Sequence, residues 1–184
     1  MVNVKVRESR IQGKGVYATV DLKAGEVVLI IDDSQIVTDE SSLTDEDNAF
    51  NCDYFDNKII LMQPPEVYIN HSCDPNTYVK TISGARQVLA MKPIVVGDEV
   101  TFDYSINGDN NGTFPCHCGS KNCRKLYQGN FFKLPIETQK RYLPYLDTWF
   151  IDKHLIKVKE LKKVEMTKRV RYIDDQRTSN LHSC

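Results

Sequence analysis

The stretch FPCHCGSKNCRK, residues 114–125, sets thiols at Cys116, Cys118 and Cys123 in a polar, glycine-containing loop. A free cysteine packs as a small apolar side chain, so three of them in so polar a loop are hard to explain as core. They can grip one metal ion but leave it one ligand short of the thiolate tetrahedron that structural zinc adopts. The stretch YINHSCDPN, residues 68–76, supplies Cys73 as the natural fourth ligand, beside an imidazole and inside a segment whose composition should turn. Gly119 and Ser120 would let the later loop bend so that backbone N–H groups face the sulfurs, and Arg124 and Lys125 offset part of the thiolate charge. Any fold this chain takes must therefore bring residue 73 to residues 116–123. Cys52 and Cys184 lack comparable neighbours and read as a core thiol and a tail thiol.

The rest of the composition narrows the class. A chain of 184 residues is near the size of one domain and can bury a core without covalent staples. The formal net charge of −1 directs no global field at nucleic acid or an anionic membrane. The opening MVNVKVRESR alternates apolar and charged residues, and no apolar run approaches the ~18 residues of a membrane span. The expectation is a soluble intracellular protein of nucleus or cytoplasm, with no membrane partner and no direct contact with nucleic acid. In that setting clustered thiols argue for metal or catalysis rather than disulfides.

Along the chain, residues 2–8 alternate as a strand, GKGVYA (13–18) reads as a glycine turn entering a strand, and Val27 to Ile31 reads as a buried strand. Residues 32–48 carry many carboxylates and no basic residue; within them Thr44 to Asp47 has the pattern of a capping box. Short strands are expected near 52–55, 59–62, 77–82 and 86–91, and a strand from Glu99 to Tyr104 after the Gly97-Asp98 turn. Residues 105–113 read as a flexible polar loop. Beyond Leu134 the period becomes helical, through Leu143, Leu146, Trp149 and Phe150, with Pro144 limiting the first turn. A second, lysine-rich helix is expected from Asp152 to Arg169, with an apolar stripe of Leu155, Val158, Leu161 and Met166. The basic stretch from Lys153 to Arg171 would dock by that stripe, or else touch nucleic acid or a partner. The end of the chain, from Asp174, reads as frayed.

Four segments in this order, GKGVYA (13–18), YINHSCDPN (68–76), GDEVTFDY (97–104) and CHCGSKNC (116–123), resemble the SET-domain protein lysine methyltransferases, the last segment being similar to the family's post-SET segment. Together they span most of residues 5–126. The resemblance implies a mostly β fold of several small, mostly antiparallel sheets, with a pseudoknot where the NHSC segment threads a loop, plus C-terminal helices that lie outside the resemblance. It divides the chain into a SET domain at 1–112 including the acidic insert 32–48, a post-SET zinc segment at 113–128, and a C-terminal helical extension at 129–184. It implies S-adenosyl-L-methionine as methyl donor on one face, a substrate lysine on the opposite face, and one structural Zn²⁺ shared by Cys73, Cys116, Cys118 and Cys123.

The same resemblance assigns roles. Tyr104 would line the methyl-transfer site and orient the incoming amine. Phe102, two residues earlier and so on the same side of a strand, would set the methyl number; phenylalanine there implies di- or trimethylation. Tyr54 is a candidate channel wall, with an ordinary half-buried strand aromatic as the alternative. Cofactor contacts carry over to Gly13, Lys14, Gly15, Tyr68, Asn70, His71 and His117. There are departures: Lys14 stands where many relatives have tryptophan, Val67 where arginine is common, and Lys125 where glycine is frequent. The acidic insert would attract a basic peptide such as a histone tail, or is simply a solvated face. The expected function is lysine methylation, histone-directed; the alternatives are a methyltransferase for a non-histone protein and a non-catalytic, zinc-stabilised peptide-binding module.

Overall fold

The computed structural model describes residues 3–47 and 51–163. The expectations for residue 48, Met166, Arg169, Arg171, the tail from Asp174 and Cys184 lie outside those residues. Among the described residues the chain forms twelve strands and, in its C-terminal part, short α-helices. They are β1 Val4–Glu8, β2 Lys14–Ala18, β3 Val27–Ile30, β4 Ile36–Val37, β5 Cys52–Phe55 and β6 Lys58–Leu61. Then come β7 Asn70–His71, β8 Thr77–Ile82, β9 Ala85–Ala90, β10 Glu99–Phe102, β11 Asp109–Pro115, β12 Leu126–Asn130, α1 Ile136–Tyr142 and α2 Thr148–Lys153.

The strands form a seven-stranded sheet in the order β1-β2-β10-β8-β9-β3, with β7 also paired to β10, a three-stranded sheet β4-β6-β5, and the hairpin β11-β12. All pairings are antiparallel except those of β10 with β7 and β8. Phe102 pairs with both His71 and Thr77, so the chain between those two residues loops around the end of β10. That crossing brings the NHSC segment against the strand that leads into Tyr104. Local chemistry sets the hairpins: Asp56-Asn57 and Ser83-Gly84 hold positive φ in two-residue turns, the backbone that tight hairpins require. The capping box at Thr44 forms, with Asp47 N–H donating to Thr44 Oγ1 and Asp47 Oδ2 accepting from Thr44 N–H and O–H.

Several sequence expectations change. Val27–Ile30 is not a strand buried on both faces; it closes one end of the large sheet, and Ile30 is 64% exposed. The strand expected to reach Tyr104 stops at Phe102, because the Asp103 carboxylate takes the N–H of Ser105 and Tyr104 N–H turns to His71. Much of the loop expected at 105–113 is β11, exposed along its whole length and paired with β12. No apolar alternation announces such a strand, since its partner and its anchored base hold it rather than burial. Cys52 is half-buried on β5, not a core thiol.

Two apolar cores result. One, under the large sheet, gathers Val16, Ala18, Val28, Ile69, Val88, Ile94 and Val100. The other gathers Ile106, Phe131, Leu134, Tyr142, Leu143, Leu146, Phe150, Val158 and Leu161. Full burial of one such large side chain contributes about 1.5–3 kcal/mol, so the helical segment is firmly attached to the body. It is broken where Pro144 sits in a 3-10 turn at Leu143–Tyr145; α2 restarts with Asp147 as its cap, its Oδ1 accepting from Thr148 N–H. A further helical stretch at 155–163 buries Val158 and Leu161 but leaves Leu155 exposed, so the expected stripe is narrower than proposed. Among the described residues no helix is long and apolar enough to cross a membrane.

The acidic insert is anchored through Arg86 of β9. Its guanidinium is buried, donates to Asp33 at 2.5–3.0 Å and to Asp53, and lies 4.6 Å over the Phe55 ring. Of the insert's carboxylates, Asp32, Asp39 and Asp47 also hold local N–H or hydroxyl groups. Removing both partners of Arg86 would strand a buried cation. The double variant Asp33→Asn/Asp53→Asn is expected to lose about 3 kcal/mol of stability by urea denaturation; a loss below about 0.5 kcal/mol would deny the anchor.

Candidate active site

The four thiols expected to act together do meet: the sulfurs of Cys73, Cys116, Cys118 and Cys123 all lie within 4.8 Å of one another. The first three are buried and Cys123 half-buried. Backbone N–H groups point at these sulfurs, from Cys73 to Cys118 at 3.5 Å, from Arg124 to Cys73 at 3.4 Å and from Lys125 to Cys123 at 3.4 Å. Burial pushes the thiols of Cys73 and Cys116 up. Cys118 is also raised by burial, but the N–H of Cys73 and the hydroxyl and N–H of Ser120 more than offset this and lower it to about 6. Four converging sulfurs with N–H donors on them are compatible with the donor set of a tetrahedral zinc site. Lys125 has φ of +64°, a left-handed backbone that disfavours any residue with a Cβ. A glycine would adopt that backbone more readily than lysine does.

Tyr104 follows directly from β10. Its hydroxyl donates to the carbonyl oxygen of Ile69 at 2.7 Å, and its own N–H donates to His71 Nδ1 at 3.2 Å. The Phe102 ring is 4.7 Å from the Tyr104 ring although the strand has ended between them. His71 at 5.2 Å and Tyr127 at 6.1 Å close further sides, and Phe114 stacks on Tyr127 at 4.3 Å. Burial, then Tyr127, then the negative charge of Asp53 raise the Tyr104 phenol well above its ordinary value, so it stays neutral. Tyr54 stands 54% exposed on β5 and has no part in the ring cluster found among the described residues.

His71 is neutral. Burial lowers its pKa to about 4 against the opposing pull of Asp103. Asp103 Oδ1 lies 3.6 Å from Nδ1, but Nδ1 is already the acceptor of the Tyr104 N–H, so this pair is not a charged bridge. The ring proton then sits on Nε2, 3.4 Å from Cys73 Sγ. One imidazole thus links the thiol cluster to the backbone of Tyr104.

Asp103 is fully buried between Phe102 and Tyr104. Burial pushes its carboxyl up, but the Arg124 guanidinium outweighs this and holds it below the usual carboxylate range. Arg124 donates from both terminal nitrogens, at 2.6 and 2.9 Å. Sequence reasoning treated Arg124 only as charge compensation for the thiolates and missed Asp103, Phe114, Tyr127 and Tyr142. Asp103 carried a signal, an acid between two aromatics at the end of an apolar strand; the others did not.

Of the residues expected to meet a cofactor, Lys14 touches both Tyr68 and Asn70. The Asn70 side-chain N–H₂ donates to the carbonyls of Gln12 and Lys14 at 3.2 and 2.9 Å and to Glu99 Oε1 at 2.9 Å. It thereby ties the glycine loop to the NHSC segment. Gly13 has φ of +47° and open space where a Cβ would stand. At Gly15 the Cβ position is taken by the Glu99 carboxylate, so the lack of a side chain there also serves internal packing. Lys14 Nζ lies 5.0 Å over the Tyr68 ring, which gives the cation an aromatic surface in place of the tryptophan common there. His117 is exposed beside the thiols, and Phe114, 43% exposed, faces His71 at 6.5 Å. An open glycine face, an ammonium and exposed aromatic surface fit a cofactor that combines a flat heterocycle with a carboxylate.

The SET domain family profile matches residues 13–105, half of the chain. The chain is 35% identical over 135 residues to the histone-lysine N-methyltransferase trithorax of Drosophila virilis, covering 66% of this chain and 4% of that protein. It is 31% identical over 137 residues to the human histone-lysine N-methyltransferase 2D, covering 67% of this chain and 2% of that protein. It is 41% identical over 66 residues to a Candida albicans histone-lysine N-methyltransferase described as H3 lysine-36 specific, covering 34% of this chain and 8% of that protein. The chain therefore spans a small fraction of the length of these relatives.

The thiol geometry makes a direct prediction. The purified chain should carry about one zinc per molecule, the complement of four thiolates, and Cys73→Ser or Cys118→Ser should lower it several-fold by elemental analysis. Wild-type protein without zinc, after purification free of chelator and with zinc supplied, would remove the metal from the account.

Proposed function

The chain belongs to the SET-domain family, and from that premise we propose that it is an S-adenosylmethionine-dependent protein lysine N-methyltransferase, directed at histones in the nucleus. It carries its substrate to the di- or trimethyl state. The observation that best supports this reading is the state of the Tyr104 hydroxyl. Its proton is committed to Ile69 O, so the oxygen offers only lone pairs to whatever enters beside the Phe102 and Tyr127 rings. A neutral phenol oxygen among apolar rings suits a lysine nitrogen. It accepts an N–H from the amine and directs the nitrogen lone pair away from itself.

The amine must reach that place uncharged, and free lysine has a pKa near ~10.4. An enclosure of Phe102, Tyr104, His71 and Tyr127 removes water from the ammonium and so lowers that value. His71, being neutral, adds no competing charge. Gly13, Lys14, Gly15, Tyr68, Asn70, His71 and His117 would hold S-adenosylmethionine, with the Lys14 ammonium suited to its carboxylate. When bound, that cofactor supplies the electrophilic methyl group and a positively charged sulfonium. Cys73, Cys116, Cys118 and Cys123 would hold zinc, which supplies the crosslink that fixes the β11-β12 hairpin beside the site. Holding amine and donor in line converts an encounter into an intramolecular event, an advantage of several kcal/mol.

The acidic insert supports a basic peptide as substrate, through fewer groups than its composition suggests. Asp33 is engaged by Arg86 and Asp39 and Asp47 cap their own turns. Glu40, Asp45 and Glu46, together with Asp32 and Asp39, are the insert carboxylates exposed among the described residues, and a basic tail would pair with them.

The test is incubation with the methyl donor and intact histones, read by mass spectrometry. Dimethyl- and trimethyl-lysine are expected, and Tyr104→Phe should lower turnover by about 10²-fold, the scale of losing one preorganised polar group. Peptide binding with no methylation by wild-type protein would reduce the chain to a binding module; methylation confined to non-histone proteins of a lysate would change the target. Phe102→Tyr adds a hydroxyl beside Tyr104 and should confine the product to monomethyl-lysine. Unchanged trimethylation by that variant would remove Phe102 from control of methyl number.

A further inference from the structure

We propose that Tyr142, contributed by helix α1 beyond the matched segment 13–105, is a positioning residue for the methyl-transfer site and acts through Asp103. The inference rests on the functional reading above. Tyr142 is 1% exposed. Its oxygen lies 3.0 Å from Asp103 Oδ2 and 3.4 Å from the carbonyl of Cys73, and it accepts from Arg141 Nη2 at 3.2 Å. Asp103 is ionised, so it only accepts. The Tyr142 proton goes to it, because that distance is the shorter and the acceptor charged.

The remaining acceptor sites of Asp103 are taken by Arg124 Nη1 and Nη2 and by Ser105 N–H. One buried carboxylate therefore gathers the residue after the last thiol, the turn after Tyr104, and a helix from the C-terminal segment. A carboxylate with no exposure must have its lone pairs filled or shift to fill them. Without the Tyr142 hydroxyl, Oδ2 keeps only Arg124 Nη1, and the carboxylate turns toward that guanidinium. Asp103 is bonded directly to Tyr104, so this rotation moves the Tyr104 backbone, whose N–H is aimed at His71. The same helical segment touches other elements around the site: Trp149 meets Phe55 of the insert sheet at 5.6 Å, and Lys153 meets Asp109 of β11 at 2.9 Å. Those contacts are made by α2, which shares one apolar core with α1, and they help to fix the place from which Tyr142 acts.

Tyr142→Phe removes one oxygen atom and keeps the buried ring. Turnover is expected to fall about tenfold, with KM for histone peptide and for methyl donor within about twofold of wild type, the scale of one charge-assisted hydrogen bond. Zinc content should stay unchanged and the backbone amide resonance of Tyr104 should move. Turnover within twofold of wild type would overturn the proposal. So would a loss expressed only in KM, or one that follows loss of zinc, since either marks a merely structural role. If Tyr142→Phe does not fold, 3-fluorotyrosine at position 142 strengthens the donor at nearly constant volume; an unmoved Tyr104 amide and unmoved turnover would then overturn it. If wild-type protein methylates no substrate, the functional reading fails, and the Tyr104 amide alone decides the positioning: a shift in Tyr142→Phe sustains it and constancy ends it.

Discussion

The ion pair between Asp103 and Arg124 is the contact on which the site depends. A carboxylate with no solvent exposure is tolerated only when a charge and enough donors meet it, and here the donors come from separate parts of the chain. Arg124 follows Cys123, so the pair joins the thiol cluster to the strand end that presents Tyr104. Breaking it would leave a charge uncompensated in the interior, typically a penalty of about 3–5 kcal/mol. That penalty is what keeps the β11-β12 hairpin closed over the site. The hairpin itself is polar and β11 wholly exposed, so apolar burial contributes little to its attachment. Its base is held instead by the sulfur cluster, by Arg124 and by the Phe114–Tyr127 stack.

A division of labour follows between the two apolar cores. The core under the large sheet fixes the register of β2, β10, β8 and β9, and with it the approach of the Asn70 amide to the glycine loop. The core around Phe131 and Phe150 fixes α1 and α2 against the hairpin and the insert. The site lies between them, where strands have ended and polar groups must be satisfied one by one. Glu99 does this on one side, accepting from Ser9, Tyr17 and Asn70. Asp103 does it on the other. Both carboxylates come from the GDEVTFDY segment, so one short stretch organises the glycine loop, the NHSC segment and the zinc loop together.

Much of this was legible because the chemistry leaves local marks. Cys73 and the later thiols were paired by ligand arithmetic, and the hairpins at Asp56-Asn57 and Ser83-Gly84 carry residues suited to positive φ. The rest was hidden for physical reasons. β11 has no apolar face, so periodicity reads it as loop; long-range pairing with β12 makes it a strand. Val27–Ile30 is apolar throughout, and composition does not tell an end strand from a central one. Gly15 has a second reason to lack a Cβ, the Glu99 carboxylate packed there, a neighbour distant in sequence. Tyr142 sits in a helix whose pattern announces only burial; a buried hydroxyl needs a partner, and nothing local says that the partner is Asp103.

The position of His71 shows why the thiol cluster and Tyr104 belong to one structural unit. Its Nδ1 accepts from the Tyr104 backbone, which leaves the ring proton on Nε2, where Cys73 Sγ is the acceptor. A thiolate bound to a metal still accepts such a bond, and a ring held at both nitrogens cannot rotate. The imidazole must stay neutral to make both contacts at once, and its burial secures that. Residues 70–73 therefore face two ways within four positions, the Asn70 amide to the glycine loop and the Cys73 sulfur to the thiol cluster, with His71 holding Tyr104 between them. A segment so short cannot shift toward one neighbour without leaving the other, and this rigidity is what an aligned methyl transfer requires of its frame.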